Sequence, residues 1–353
     1  MRPPTNRRSR ARVVVAVGLF ALLAAACGDV KPQDSLDPAG PFAREPDELW
    51  DLTFGIAAAI FVVVEGVLLF ALVRYRHRPG RKAAQFHGNT KLEIALTAVP
   101  TLILAGIAVP TVQNIFDLAT VPGNALPVNV VAHRFWWQFE YPEQGFQTAN
   151  ELHIPTGRPV RLTLEGALAD PVDGTDSEVV HSFWVPRLAG AQDVVPGHTN
   201  HMLLQADRPG VYLGQCKEFC GLSHANMRIR VVAQEPADFA EWVSEQQRPA
   251  AEQSAVAVGA RLFQNGAEGG GFPNGPACAA CHAVDPSVDG IGPNLAHFAS
   301  RETFAGAMFE NNEGNLRAWL ADPPGVKPGA RMPDLGLTAD QIDALVAYLG
   351  TLE

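Results

Sequence analysis

Cys216-Lys217-Glu218-Phe219-Cys220-Gly221-Leu222-Ser223-His224-Ala225-Asn226-Met227 is the stretch on which both fold and chemistry turn. It packs two thiols, an imidazole and a thioether into one short segment. Thiolates and thioethers are soft ligands that select copper, zinc or iron–sulfur, and imidazole suits copper and zinc. A trigonal His/Cys site with a weak Met is a copper electron-transfer pattern. Two sulfurs can bridge two copper ions, and a second imidazole must then come from elsewhere. His181, in Glu178-Val179-Val180-His181-Ser182-Phe183-Trp184-Val185-Pro186, is the candidate. The competing expectation is a structural zinc site, because Cys and His also bind zinc and the gap between the cysteines is one that zinc sites allow. Met227 favours copper, since zinc sites draw on Cys, His and carboxylates instead.

The pattern His-Ser-Phe-x-Val-Pro followed by Cys-x-Glu-x-Cys-Gly-x-x-His-x-x-Met resembles subunit II of the cytochrome c oxidases. The likeness runs over most of the chain up to about Gln246. It implies a cupredoxin-like β-barrel that holds the dinuclear copper centre CuA. The implied ligands are His181, Cys216, Glu218, Cys220, His224 and Met227. Glu218 would bind through its backbone carbonyl, with its side chain reaching a magnesium ion at the border with subunit I.

The chain has 353 residues, which suggests two or three domains. Its net charge of −10 argues against nucleic acid as a partner and suits a basic redox partner. The cysteines are Cys27, Cys216, Cys220, Cys278 and Cys281. Lipid, copper and haem account for all of them, and none is left for a structural disulfide.

The N-terminus carries Arg2, Arg7, Arg8, Arg10 and Arg12, then an apolar run from Val13 to Ala26, then Cys27. A basic start, a short apolar core and small residues before a cleavage point read as a secretory signal over 1–26. The run also resembles a bacterial lipoprotein signal, in which Cys27 would become the lipidated first residue; ordinary cleavage nearby or an uncleaved anchor is the alternative. Residues 27–48 read as a linker, and residues 49–117 as a two-helix transmembrane hairpin with spans Leu52 to Val73 and Ile94 to Phe116. Between the spans lie Arg74, Arg76, Arg78, Arg81, Lys82 and Lys91, with no acid among them. That excess places the loop in the cytoplasm and both outer ends of the hairpin outside a bacterial plasma membrane.

Two carboxylates stand in the hairpin. Glu65 is mid-span, where an ionisable group is expensive. It is read either as a contact with subunit I or as a protonated residue packed between helices. Lys91-Leu92-Glu93-Ile94-Ala95-Leu96-Thr97-Ala98-Val99-Pro100 resembles the start of the family's second membrane helix. There a glutamate stands at the cytoplasmic mouth of a proton channel of subunit I, and Glu93 takes that place. An acid at a helix N-terminus is also favoured by the macrodipole alone.

From Val128 the pattern changes to short β-like runs with turn signals. They are 128–133, 135–141, 151–155, 159–164, 201–204, 211–214 and 227–232. Such a series predicts a sandwich or barrel over 118–247, with the copper ligands in loops at one end. In the family, a tryptophan near the start of the aromatic strand receives electrons from soluble cytochrome c. Aligned through His133 and Tyr141, that position is Phe135, followed by Trp136 and Trp137. All three are relay candidates, with barrel core as the plainer expectation. His133, His153, His198 and His201 match no ligand role and are expected to be packing or surface histidines.

Residues 248–256 read as a linker, and 257–353 as a separate all-α haem module. Cys278-Ala279-Ala280-Cys281-His282 is the C-x-x-C-H pattern for covalent haem c, with thioethers at Cys278 and Cys281 and His282 on the iron. The rival readings are a redox dithiol or half a zinc site. Gly292-Pro293-Asn294-Leu295 and Pro328-Gly329-Ala330-Arg331-Met332-Pro333 resemble two loops of class I cytochromes c. The first would steady His282 through the Pro293 carbonyl, and the second would supply Met332 as the other axial ligand.

The whole resembles subunit II of a haem–copper oxidase with a fused cytochrome c. Electrons would run from an upstream donor, a cytochrome c or a bc-type complex, to haem c, to CuA and on to subunit I, beside which subunit III is expected. A short flexible tether would raise the local donor concentration to about the millimolar range. Two other classes compete. A quinol oxidase subunit II shares hairpin and barrel but generally lacks the copper ligands. A non-enzymatic copper-binding or assembly protein has no need of haem c.

Overall fold

The computed structural model describes residue 18 and residues 31–77, 79–80, 87–167, 179–249, 256–268 and 270–353. The expected signal segment and Cys27 lie outside the described residues. Two long helices come first, α1 (Pro41–Arg74) and α2 (Thr90–Ala119), of 34 and 30 residues. At 1.5 Å per residue both exceed the roughly 30 Å hydrocarbon core of a bilayer. Their apolar side chains are largely exposed, as surfaces facing lipid or a partner subunit must be.

Helix α1 starts inside the stretch expected to be linker. Pro41 opens it at no hydrogen-bonding cost, because the first-turn N–H groups have no partner in any case. Its first residues belong to the barrel rather than to the bilayer. Ala39 and Phe42 are buried in the barrel core, Ala39 N donates to Arg187 O at 2.7 Å, and Arg44 pairs with Asp207. Asn114 Nδ2 donates to Glu45 O at 2.9 Å, which ties the outer ends of the two helices together.

Among the described residues the barrel has ten strands: β1 (Leu126–His133), β2 (Trp136–Tyr141), β3 (Phe146–Ala149), β4 (Glu151–Pro155), β5 (Val160–Gly166), β6 (His181–Trp184), β7 (Ala191–Val194), β8 (Asn200–Leu204), β9 (Gly210–Cys216) and β10 (Arg228–Gln234). They form two sheets, ordered β3-β2-β1-β5-β8 and β4-β10-β9-β6-β7. Along β1, Leu126, Val128, Val130 and Ala132 are buried at every second position, the period of a strand with one face inward. Strands β3, β6 and β7 were not expected. All four residues of β3 are buried, so it shows no alternation. The barrel core covers one side, and Gln147 is engaged by Pro286 and Val288 of the haem module.

Helix α3 (Pro236–Gln246) closes the barrel. Its Trp242 stacks on His153 at 4.1 Å and 5°, and His153 Nδ1 meets Gln234 Oε1 at 3.0 Å. The Tyr141 hydroxyl accepts from His153 N at 2.9 Å and donates to His153 O at 2.8 Å.

The haem module comprises α4 (Ala257–Asn265), the short pair β11 (Thr303–Phe304) and β12 (Phe309–Glu310), α5 (Glu313–Ala321), α6 (Pro323–Val326) and α7 (Ala339–Leu349). Phe263, Leu345 and Tyr348 are buried where α4 crosses α7. Thr338 and Gln341 form a capping box that starts α7.

This module is seated on the barrel. Gln147 Nε2 donates to Asp289 Oδ1 at 2.7 Å. Buried Glu151 accepts from Thr303 N at 2.8 Å and Thr303 Oγ1 at 2.6 Å. Burial pushes the Glu151 carboxyl above its usual range, and the Thr303 hydroxyl partly offsets it. Arg230 pairs with Glu302 and approaches Glu151 at 3.7 Å.

Burial holds the folded His153 pKa down to about 4. Between that value and the unfolded value near 6.5, the unfolded state binds more protons. Stability contributed by neutral His153 is therefore present above pH ~6.5 and is lost as pH falls toward 4, by about 3 kcal/mol at most. The stability advantage of the protein over His153→Gln should shrink between pH 7.5 and 4.5 in thermal unfolding followed by circular dichroism.

Candidate metal centres

His181 opens β6 and Cys216 ends β9, and Phe183 lies opposite Cys216 in the antiparallel register. Both expected ligands thus sit on paired strands, where a loop position was anticipated. The strand ladder fixes them more firmly than a loop would. Beyond Cys216 the chain turns back on itself. Cys216 N donates to Met227 O at 2.9 Å, and Lys217 N donates to Ser182 O at 3.0 Å. A 3-10 turn, His224–Asn226, brings the second imidazole round.

The donor atoms then converge. The two Sγ atoms are 3.8 Å apart, Cys216 Sγ is 3.9 Å from His181 Nδ1, and Cys220 Sγ is 3.7 Å from His224 Nδ1. A disulfide would need about 2.05 Å between the sulfurs. Two metal–sulfur bonds of about 2.3 Å each span the observed gap easily, so the sulfurs can share an ion. His181 and the two sulfurs form one cluster of ligand atoms within 4.8 Å of each other. The Glu218 carbonyl faces the site, 3.2 Å from Cys216 Sγ, while its side chain is exposed. Met227 is fully buried beneath the loop.

A hydrogen bond from Cys220, followed by one from His181, holds Cys216 down to about 4, against the opposing effect of burial. The same bond pushes Cys220 well above the ordinary thiol range. A bound metal ion would take the place of the thiol protons, as thiolate ligation requires.

The second centre is a cavity of about 440 Å³ in the haem module. Cys278, Cys281, His282 and Met332 all line it. His282 Nδ1 donates to Pro293 O at 2.8 Å, leaving Nε2 as the free ring nitrogen. Burial lowers the His282 pKa, so the imidazole is neutral and fit to ligate. Arg301 lines the same cavity. Its terminal nitrogen donates to Asn294 O at 2.7 Å and Ala296 O at 2.9 Å, but its Nε is buried without a hydrogen-bond partner. A flat group with carboxylate arms suits that orphaned donor, and these residues fit haem.

The three aromatic relay candidates separate in space. Phe135 and Trp136 line the haem cavity from the barrel side. Trp136 also stacks on His133 at 4.1 Å. Trp137 is fully buried, edge-on to His181 at 6.1 Å and to Phe183 at 5.3 Å. Glu93 lies at the far end of the molecule, where its Oε1 accepts from Asn89 N at 3.2 Å and helps cap α2. Glu65 is exposed on α1.

Sequence reasoning missed the buried charges, Arg301, Lys327 and Glu151. Lys327 adjoins the quoted Pro328–Pro333 loop, but burial leaves no local mark in a sequence. Burial pushes Lys327 down to about 7 and Arg301 to about 10.

Burial also raises the Cys278 thiol to about 11 and Cys281 above its usual range. A redox dithiol needs the opposite shift, so the rival dithiol reading loses support. In haem-free chain at pH 7, Cys278 should alkylate on the order of a hundredfold more slowly than a free cysteine. The rate should climb as pH approaches 11, as read by mass spectrometry after iodoacetamide treatment.

Three family models match the chain. They are the transmembrane domain of cytochrome c oxidase subunit II over residues 32–113, its periplasmic domain over 126–234, and cytochrome c over 256–353. Cytochrome c oxidase subunit 2 of Alkalihalophilus pseudofirmus is 36% identical over 330 residues, 90% of each chain. That of Bacillus sp. PS3 is 35% identical and covers 97% of each chain. Quinol oxidase subunit 2 of Bacillus spizizenii is 34% identical over 61% of this chain and 67% of its own. The solved periplasmic domain of subunit II of cytochrome oxidase from Bradyrhizobium japonicum is 28% identical, covers 35% of this chain and 95% of its own, and gives a TM-score of 0.32. Hairpin, barrel and haem-type module occur here in one chain, relatives named cytochrome c oxidase subunit 2 match it over nine-tenths or more of their length, and the chain belongs to the cytochrome c oxidase subunit II family, with a cytochrome c domain at its C-terminal end.

Proposed function

We propose that this chain is the electron-input subunit of a proton-translocating cytochrome c oxidase in a bacterial plasma membrane, with barrel and haem module on the outer face. The observation that carries it is that one chain holds a His/Cys cluster suited to copper and, in the module seated beside it, a cavity lined by Cys278, Cys281, His282 and Met332. When bound, haem c and a dinuclear copper centre would supply one-electron chemistry, by which the chain would take electrons from a cytochrome c or bc-type complex and pass them to subunit I, where oxygen would be reduced. Everything else is the work of this chain's residues.

His181 and Cys216 hold one end of the copper site, and Cys220 and His224 hold the other. Each sulfur has an imidazole near it, so these four residues would suit two copper ions better than one structural zinc. The Glu218 carbonyl and Met227 complete the set. The Glu218 side chain is free to reach a magnesium ion shared with subunit I. Phe219 and Leu222, 74% and 81% exposed, lie on the copper loop and offer apolar surface for a neighbour. Cys278 and Cys281 would anchor the haem, Pro293 orients His282 as one iron ligand, and Met332 would supply another. Phe135 lies between the copper loop and the haem cavity, Trp136 lines the cavity, and Trp137 lies edge-on to His181, so the three remain the relay candidates. Glu93 stands at the cytoplasmic end of α2, where it would hand protons to subunit I while capping its helix.

Membrane attachment through α1 and α2, and through a lipid at Cys27 after signal cleavage, keeps the chain on that subunit; subunit III completes the expected assembly. The quinol oxidase alternative is disfavoured by the full copper ligand set, and an assembly-protein role by the haem cavity.

Purified oxidase should contain two copper ions of CuA per haem c, with one unpaired electron shared between the coppers by EPR. Cys216→Ser should abolish that signal and leave covalent haem intact. Zinc in place of copper, or haem with no CuA, overturns the proposal. Met332→His should lower the haem c midpoint potential by on the order of 0.1 V or more in a redox titration, because Met/His ligation raises it.

A further inference from the structure

The copper loop and the haem module meet at one buried cation. Lys327 lies five residues before Met332 and is only 3% exposed. Its Nζ donates to Phe135 O on the barrel at 2.8 Å and to Ala305 O in the haem module at 2.7 Å. Two further bonds cross the same boundary. Ser223 Oγ donates to Pro328 O at 2.6 Å, and Arg228 N donates to Gly306 O at 3.0 Å.

What these bonds hold is the Phe135 ring. It lies against Gly221 of the copper loop (φ 127°) and Gly329 of the loop leading to Met332 (φ 84°). A Cβ at either position would come within 3.1 or 3.2 Å of the ring. Both glycines therefore adopt a backbone that other residues resist, and both leave room for the same side chain.

The turn that offers Ala305 O is itself strained. Ala305, Gly306 and Ala307 have φ of 53°, 78° and 53° in succession. Alanine avoids this region, and such a conformation persists where surrounding contacts over-determine it. Lys327 Nζ and Arg228 N donate to two of that turn's carbonyls, one from each side of the boundary. A methionine could fill the volume of Lys327 without the cost of burying an ammonium. What lysine adds is a pair of directed bonds, one to each module.

We propose that Lys327 is a positioning residue for electron transfer within this chain, holding the haem module seated on the copper loop with the Phe135 ring fixed between them. The inference rests on the haem-to-copper direction proposed above. One electron leaves the haem module for each that arrives at the copper loop. The residues between are neither oxidised nor reduced, and no other reactant takes part.

The test uses the purified oxidase. An electron is injected into haem c photochemically, and its arrival at the copper centre is followed by absorbance, at several solvent viscosities. The two midpoint potentials are measured alongside. In the unaltered protein, transfer should be fast and indifferent to viscosity, because the modules are already docked. Lys327→Met should slow it about tenfold, the population shift that follows loss of roughly one net hydrogen bond to a charged group. The remaining rate should fall as viscosity rises, because docking now precedes transfer. Lys327→Arg, which keeps charge and donors, should restore most of the rate. Gln147→Ala loosens the far end of the boundary, touches neither centre, and should shift viscosity dependence the same way if Lys327→Met does not fold. A Lys327→Met rate that matches the unaltered protein and ignores viscosity overturns the inference. So does a slower rate that ignores viscosity and tracks a changed haem potential. Absence of transfer in the unaltered protein would instead overturn the haem-to-copper direction itself.

Discussion

The copper site depends on one pairing, that of β9 with β6 across Phe183 and Cys216. It sets a sulfur at the end of one strand beside an imidazole at the start of the next. The Cys216 N–Met227 O bond then closes the returning loop onto the same frame. Cys220 and His224 have no strand of their own, and their positions follow from that closure. Trp137 and Phe183 pack the space beneath His181, so the imidazole cannot turn away. An electron-transfer site works best when it barely rearranges. Here rigidity comes from backbone bonds rather than from side-chain crowding alone.

The second organising feature is that the haem module is docked. A tether on its own would supply a high local concentration of donor, and the modules would have to find one another repeatedly. Gln147, Glu151, Ser223 and Lys327 replace that search with a fixed geometry. Several of these groups are buried and polar, which is costly unless each is satisfied. Most are satisfied across the boundary, so separating the modules would leave them without partners. Phe135, the position expected to match a family tryptophan, is buried. The position is enclosed by two loops of this same chain, whereas a site for a soluble donor would have to stay open.

The membrane part obeys a simpler logic. Helices α1 and α2 are long and apolar, and their outer ends are tied to each other and to the barrel base by Asn114, Arg44 and Ala39. The barrel base and the ends of the two helices are thereby held in one frame. Glu93 is held in place by the Asn89 N bond that helps cap α2.

The sequence by itself determined what is local. Donor identity and spacing in 216–227, the C-x-x-C-H pattern at 278–282, and the two apolar runs are all carried by neighbouring residues, and chemistry or period reveals them directly. Strand alternation revealed β1 but missed β3, whose second face is covered by a module more than a hundred residues away. The linker expectation for 41–48 failed for the same reason, because contacts with the barrel make those residues helix. Only the tertiary structure decided that His181 sits on a strand, that Phe135 faces the haem cavity while Trp137 faces the copper ligand, and that Lys327, Glu151 and Arg301 are buried. Burial is a property of what packs from a distance. A lysine that pins two modules together reads, in one dimension, like any lysine on a surface.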